Sequence, residues 1–386
     1  MSDHTSTLVR RGAGRRLALQ RVGIAAAGLA CGVPVFALGR TLRIGSTLDN
    51  SGVEKPNGSG LHLGAMAYFN ALNKAGGING ANVELMLADD QFKPDVAKAN
   101  ALTFQADRSI LALLHPLGTR QTAAVMDAVP DMAVIGPNTG TVGLRKKGAA
   151  NVFWVRANYD QEIEKLVSTA VALGITSIGL VHPTDPLGQS LLAAFNAATT
   201  KFKLQPAVIA TTPGTTSPEV EPAAKAIAKV SPQVVVMGLA GTAPAFVKAL
   251  RAAGGSSTIY GISIGASANN IRALGDVSRG IGFSIVVPSP FASKYEVVRR
   301  YQADMKASGN ADLSLPSLEG YINARVMAEG LRRAGATPTR ESLLAALESI
   351  DALDLGGVRI GFGKGRREGN TFVDVAVIGQ GGRMIS

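Results

Sequence analysis

One segment of the chain has the form of a nucleophile elbow. Gly261-Ile262-Ser263-Ile264-Gly265 follows an apolar run and precedes a helical stretch, the setting in which a tight turn exposes a serine hydroxyl for acyl transfer. Such a serine needs an adjacent base. In the architecture that uses the elbow the histidine comes later in the chain, yet His4, His62, His115 and His182 all precede Ser263. Triads are defined by geometry rather than order, so a serine hydrolase using Ser263 stays as an alternative, although 45 glycines also generate the pattern without function. His115 and His182 each end an apolar run, where an imidazole either faces a pocket or bonds a strand-end backbone group. No His-Glu-x-x-His, Cys pair, phosphate loop or complete Gly-x-Gly-x-x-Gly occurs, and no metal or nucleotide cofactor is expected. What the sequence does offer is anion recognition. His115-Pro116-Leu117-Gly118-Thr119-Arg120 leads into a helix, where Thr119 at the N-cap and free backbone N–H groups would cradle a carboxylate. Thr119 is the principal candidate contact, with Arg120 beside it. Asn138, Thr139, Gly140 and Thr141 add amide and hydroxyl donors at the next strand end. The same residues could instead only cap and turn the chain.

The elements that position these segments alternate. Leu42-Arg43-Ile44-Gly45 reads as a strand; Leu61, Ala65, Tyr68, Phe69 and Leu72 share one helical face; Gly76-Gly77 stops that helix; Val83, Leu85 and Leu87 alternate as the next strand. Helix 95–107, strand 110–114, helix 122–128 and strand 132–135 complete a first run. A second run repeats it: helix 161–173, strand 177–181, helix 187–200, strand 207–210, helix 220–230, strand 234–237, helix 243–253 and strand 258–260. Strict alternation with helical crossovers predicts parallel sheets covered on both faces, in two doubly wound lobes. Ligands of such sheets sit outside the carboxyl ends of the strands. That directs attention to 49–52, 115–120, 136–141, 182–188, 238–242 and 261–265. Residues 285–386 hold further strand and helix to be shared between the lobes.

The 386-residue chain is 46% hydrophobic, ample for two buried cores. Five arginines against one aspartate put a net +4 on the first 37 residues of a chain whose formal charge is +11, leaving +7 on the body. The pairs Arg299-Arg300, Arg332-Arg333 and Arg366-Arg367 lie apart and among acids, so no nucleic-acid stripe is expected. Basic residues 10–21, the uncharged stretch 22–39 and Val35-Phe36-Ala37 form a signal-peptide pattern over 1–37, cleaved after Ala37. Arg15-Arg16 resembles a twin-arginine export motif. The single cysteine, Cys31, falls in that segment, where lipidation is an alternative; the mature chain would be a periplasmic protein without thiols.

The stretches 70–80, with its Gly76-Gly77-Ile78-Asn79-Gly80 turn, Val83 to Asp90, Gly136-Pro137, Arg156, Gly188-Gln189 and Ser317-Leu318-Glu319-Gly320-Tyr321 resemble the periplasmic branched-chain amino-acid-binding family of ABC transporter receptors. The likeness spans nearly the whole chain after the signal. It implies an α/β fold of two doubly wound parallel-sheet lobes joined by a three-crossover hinge, the type I periplasmic-binding-protein fold. Lobe 1 would comprise 38–155 and 285–353, lobe 2 156–284 and 354–386. The implied protein is not an enzyme. It is a monomeric receptor that closes on a small molecule and delivers it to an inner-membrane permease. In the family a hydroxyl residue aligned with Thr119 and the loop aligned with 138–141 bind the ligand carboxylate. Aromatics that pack on an amino acid would fall near Leu187 and Leu239, and the carboxylate that pairs with its ammonium near Ser263; none of the three is present. An unpaired buried ammonium costs several kcal/mol. A small organic carboxylate is therefore the expected ligand, with an amino acid as the alternative should Asp160 or Asp185 supply the charge. The run 136–140 with Val155-Arg156-Ala157-Asn158-Tyr159 resembles a branch containing candidates for aromatic-acid uptake, in which Tyr159 would stack on the ligand or simply pack.

Overall fold

Alternating strand and helix patterns fold into two sheets. The computed structural model describes residues 40–310 and 313–385, so the expected signal segment 1–37 and Cys31 lie outside the described residues. Five strands, β1 (Thr41–Leu48), β2 (Asn82–Asp89), β3 (Ile110–Leu114), β4 (Ala133–Ile135) and β5 (Val152–Phe153), make the first sheet in the order β2-β1-β3-β4-β5, all neighbours parallel. Its helices are α1 (Lys55–Lys74), α2 (Pro94–Ala106), α3 (Thr119–Ala128) and α4 (Val142–Arg145). The second sheet holds β6 (Ile178–Pro183), β7 (Val208–Thr212), β8 (Val234–Met237), β9 (Thr258–Gly261) and β10 (Gly282–Ile285), interleaved with α5 (Tyr159–Ala172), α6 (Pro186–Lys201), α7 (Glu221–Val230), α8 (Ala243–Ala252) and α9 (Ala268–Leu274). Its parallel part runs β7-β6-β8-β9-β10, the same order as the first sheet. Central strands β3 and β8 are buried along their whole length, as parallel strands covered by helices on both faces require.

Local chemistry explains the boundaries. Prolines sit in the first turns of α2, α6, α7 and α8, where the missing N–H costs nothing. Asn158 with Gln161 forms a capping box that starts α5. Helix α1 ends at Lys74 because Gly76 and Gly77 take φ of +99° and +72°, which lets Gly77 N–H donate to Leu72 O at 2.9 Å.

The chain returns to the first sheet through α10 (Glu296–Ala307), α11 (Leu315–Arg333) and α12 (Arg340–Glu348). Helices α1 and α11 meet backbone to backbone through glycines. A Cβ built on Gly64 would stand 1.7 Å from Ser317 O, and one on Gly320 2.0 Å from Leu61 O. A short hairpin, β11 (Leu353–Asp354) with β12 (Arg359–Ile360), follows. Trp154 N–H donates to Arg367 O at 2.8 Å, Gly369 N–H to Trp154 O at 2.9 Å, and the Phe362 ring packs edge-on against Phe153. These contacts hold 362–369 against the end of the first sheet. β13 (Asp374–Ile378) and β14 (Met384–Ile385) then extend the second sheet beyond β10. Both pair antiparallel, a departure from the all-parallel expectation: a short turn joins β13 to β14, and only antiparallel strands close over so short a connection.

Candidate functional site

In a sheet of order 2-1-3-4-5 the crevice opens where the strand order reverses. That point lies between β1 and β3 in one lobe and between β6 and β8 in the other. The two openings face each other across one cavity of about 210 Å³. After β1, the Asp49 carboxylate accepts the amides of Ser51, Gly52 and Glu54 at 3.1, 2.5 and 2.7 Å. The loop curls back and sets Glu54 and Asn57 at the start of α1, both on the cavity wall. After β3, residues 117–121 line it; after β6, Asp185 and Leu187; after β8, Ala240; Ile264 comes from the turn after β9. Apolar lining comes from Phe92, Pro94, Leu117, Leu187, Pro213, Ala240 and Ile264, and hydrogen-bonding groups from Asn57, Thr119, Gln121, Asn138, Thr215 and Thr216. An apolar body with a few placed polar groups is the usual make-up of a small-molecule site.

Five of the residues expected from sequence line this cavity: Thr119, Arg120, Asn138, Tyr159 and Asp185. Thr119 is not the N-cap of α3, as the sequence predicted, but its first helical residue. Gly118 takes the cap position at φ +98°, a conformation open to glycine and costly for threonine. The Thr119 hydroxyl instead meets Thr139 Oγ1 at 2.9 Å and Thr141 Oγ1 at 3.0 Å, and those two meet each other at 3.1 Å. Thr139 and Thr141 thus stand behind the wall and orient its hydroxyl. Asn138 is sewn to the β3 end by Asn138 N–H to Pro116 O at 2.8 Å and Gly118 N–H to Asn138 O at 3.3 Å. Gly140 lies off the wall; a Cβ there would stand 2.6 Å from the Tyr159 ring, and Tyr159 N–H donates to Gly140 O at 2.8 Å. Arg120 is exposed. Asp185 caps α6 through Gly188 N–H at 3.3 Å and takes Thr215 N–H at 2.9 Å and its hydroxyl at 2.5 Å, which ties two loops of the second lobe together.

Ser263 is placed elsewhere, in a buried ionic cluster. Arg156, on the first crossing, bonds its hydroxyl and pairs with Glu162 at 3.1 Å and Glu319 at 3.3 Å. Glu162 also accepts Ser263 N–H at 2.9 Å and the Ser284 hydroxyl at 2.6 Å. Burial opposes the charge on Arg156, but the two carboxylates outweigh it and hold the guanidinium more firmly protonated than usual. A guanidinium cannot take a proton from serine, so this partner does not activate Ser263. Neither His115 nor His182 lines the cavity. The His182 Nδ1 meets Pro183 O at 2.8 Å, a strand-end backbone bond, and burial drives His115 down to about 3.

The sequence reading passed over Glu54, Asn57, Phe92, Gln121, Thr215 and Thr216. Glu54 is 2% exposed, and burial pushes its carboxyl up to about 7 against the opposing bonds from Asn57 and Gly241, with Asp49 adding to the rise. In sequence it is one acid in a polar loop, with no pattern to separate it from a solvated one. The only available signal was its place after a strand end.

A search of curated proteins finds no match. Among solved structures the chain is similar to a substrate-binding periplasmic protein from Ralstonia solanacearum, at 30% identity and TM-score 0.84 over 89% of this chain and 99% of that one. It is similar to an extracellular ligand-binding receptor from Verminephrobacter eiseniae, at 28% identity and TM-score 0.83 over 90% and 100% of the two chains. It shares its fold with a solute-binding protein of an ABC transporter from R. palustris in complex with benzoate, at 18% identity and TM-score 0.79 over 89% and 95%. Residues 41–383 match the family model described as periplasmic binding protein, and the chain belongs to that family, in its type I architecture.

Proposed function

We propose that this protein is the extracytoplasmic receptor of an ABC importer, which captures a small organic carboxylate between its lobes and hands it to a membrane permease. It would work as a monomer in the periplasm, exported by the segment 1–37, and would leave its ligand chemically unchanged. The observation that carries the ligand class is the wall built by Thr119 and the first turn of α3. A hydroxyl fixed by two other threonines stands at the amino end of a helix, where unpaired N–H groups favour an anion. Leu187 and Ile264 of the second lobe offer that ligand an apolar cover. The benzoate held by the similarly folded protein is a carboxylate of the same description. A second reading, an amino acid, draws support from the acids Glu54 and Asp185 on the same wall.

A thermal-shift screen over benzoate, other aromatic and aliphatic acids, amino acids and the matching amides tests this reading. A ligand at about 100 times its Kd stabilises by roughly 2.7 kcal/mol, so the right carboxylate raises the melting temperature while its amide does not. Equal responses to acid and amide, or none to any acid, would remove the carboxylate reading.

A further inference from the structure

Glu54 is an acid on the cavity wall; Lys55, the next residue in the chain, acts on Asp89, and no cation among the described residues figures in the shift of Glu54. Its Oε1 accepts Gly241 N–H from the opposite lobe at 2.8 Å and its Oε2 accepts the Asn57 amide at 2.7 Å, while Asn57 also donates to Ile264 O across the cleft at 3.2 Å. The pair thus bridges the two lobes beside the ligand space. The charged groups around it do nothing to hold it ionised. Asp49, on its own loop, is a like charge. The second-lobe segments packed against it, 238–242 and 263–265, carry no ionisable side chain. Across the cavity stand the exposed Arg120 and the half-buried Asp185, and Asp185 is engaged by Gly188 and Thr215. Among the described residues no lysine, arginine or histidine pairs with Glu54.

We propose that Glu54 is a specificity-determining residue that meets the bound ligand as a neutral carboxylic acid. This rests on the carboxylate reading above. An ionised Glu54 would confront the ligand anion in a cavity of about 210 Å³, and two like charges sharing a small buried space cannot both persist cheaply. A neutral carboxyl still accepts from Gly241 and Asn57 and gains one O–H to donate to a ligand oxygen. The proton comes from solvent: above about pH 7 Glu54 of the ligand-free protein is ionised, and binding the anion takes up one proton. A cationic ligand group would reverse this, since it would favour the carboxylate and release the proton.

The raised value of about 7 fixes the direction. The stabilisation is complete below the ordinary carboxylate value and is lost as pH rises through about 7. The test uses the full chain, benzoate and leucine as probes, and the variants E54Q and E54A. Without any ligand, the folding equilibrium of wild type relative to E54Q should fall by roughly 50- to 100-fold from pH 5 to pH 8, measured by denaturant unfolding. Asp90, also pushed up to about 7 by burial, is common to both proteins and cancels. With benzoate, wild-type affinity should weaken over the same range, with proton uptake near zero at pH 5 and approaching one at pH 8, where Glu54 of the free protein is ionised. E54Q should bind with no such slope, and E54A, which loses the bond to Gly241, should bind more weakly than E54Q at every pH. A wild-type to E54Q difference that ignores pH overturns the proposal. So does leucine binding that strengthens with pH and is lost in E54Q, because Glu54 would then be an ion-pair partner. If neither probe binds, the ligand-free arm still decides the state of Glu54, and the failure counts against the carboxylate reading alone.

Discussion

Thr119 shows what a residue can and cannot announce in sequence. Its place after an apolar strand and before a helix marked it as an anion contact, and it lines the cavity. Its role as a cap did not follow, because Gly118 alone accommodates the +98° turn that swings the chain into α3. The partners of its hydroxyl, Thr139 and Thr141, come from a loop some twenty residues on, a pairing set by the alignment of β3 and β4 and invisible to local pattern. Thr119→Val should therefore weaken carboxylate binding by about 10- to 150-fold, the equivalent of one hydrogen bond to a charged group, as read by titration calorimetry. Since no cap is lost, the accompanying stability change is that of a disturbed hydroxyl cluster, about 1–3 kcal/mol. Wild-type affinity in this variant would place the ligand anion elsewhere. Ser263 makes the opposite point: the elbow pattern was real in sequence, but its hydroxyl serves the buried Arg156, a partner 107 residues away.

At the scale of elements, periodicity located β1 to β4 and β6 to β9, because buried parallel strands are short apolar runs between helices. It gave no account of β5, only two residues long, or of the antiparallel β13 and β14, whose pattern is broken by glycines and charges. Nor did it reveal why Gly320 stands in α11. That glycine and Gly64 allow α1 and α11 to touch through their backbones, and α1 is the helix that presents Glu54 and Asn57 to the cleft. Gly320→Ala must push a Cβ into Leu61 O, and overpacking of this kind costs about 1–3 kcal/mol or more. A denaturant melt should show a lower midpoint with unchanged slope. A midpoint equal to wild type would mean that the two helices separate freely.

At the scale of the molecule, the repeated strand order places two switch points face to face, and the site exists only where both lobes contribute. Thr119 and Asn138 come from one lobe, Asp185 and Leu187 from the other, with Glu54 and Asn57 bonded across. The duplication was legible in the two runs of alternating elements, whereas the meeting of the two crevices depended on three crossings whose geometry no local pattern encodes. The most direct measurement is small-angle scattering of the protein alone and with a saturating carboxylate from the screen, followed by mass spectrometry of the recovered compound. Capture by lobe closure predicts a smaller radius of gyration with ligand and a compound returned unchanged. An unaltered radius, or a compound chemically converted by the protein, would contradict it.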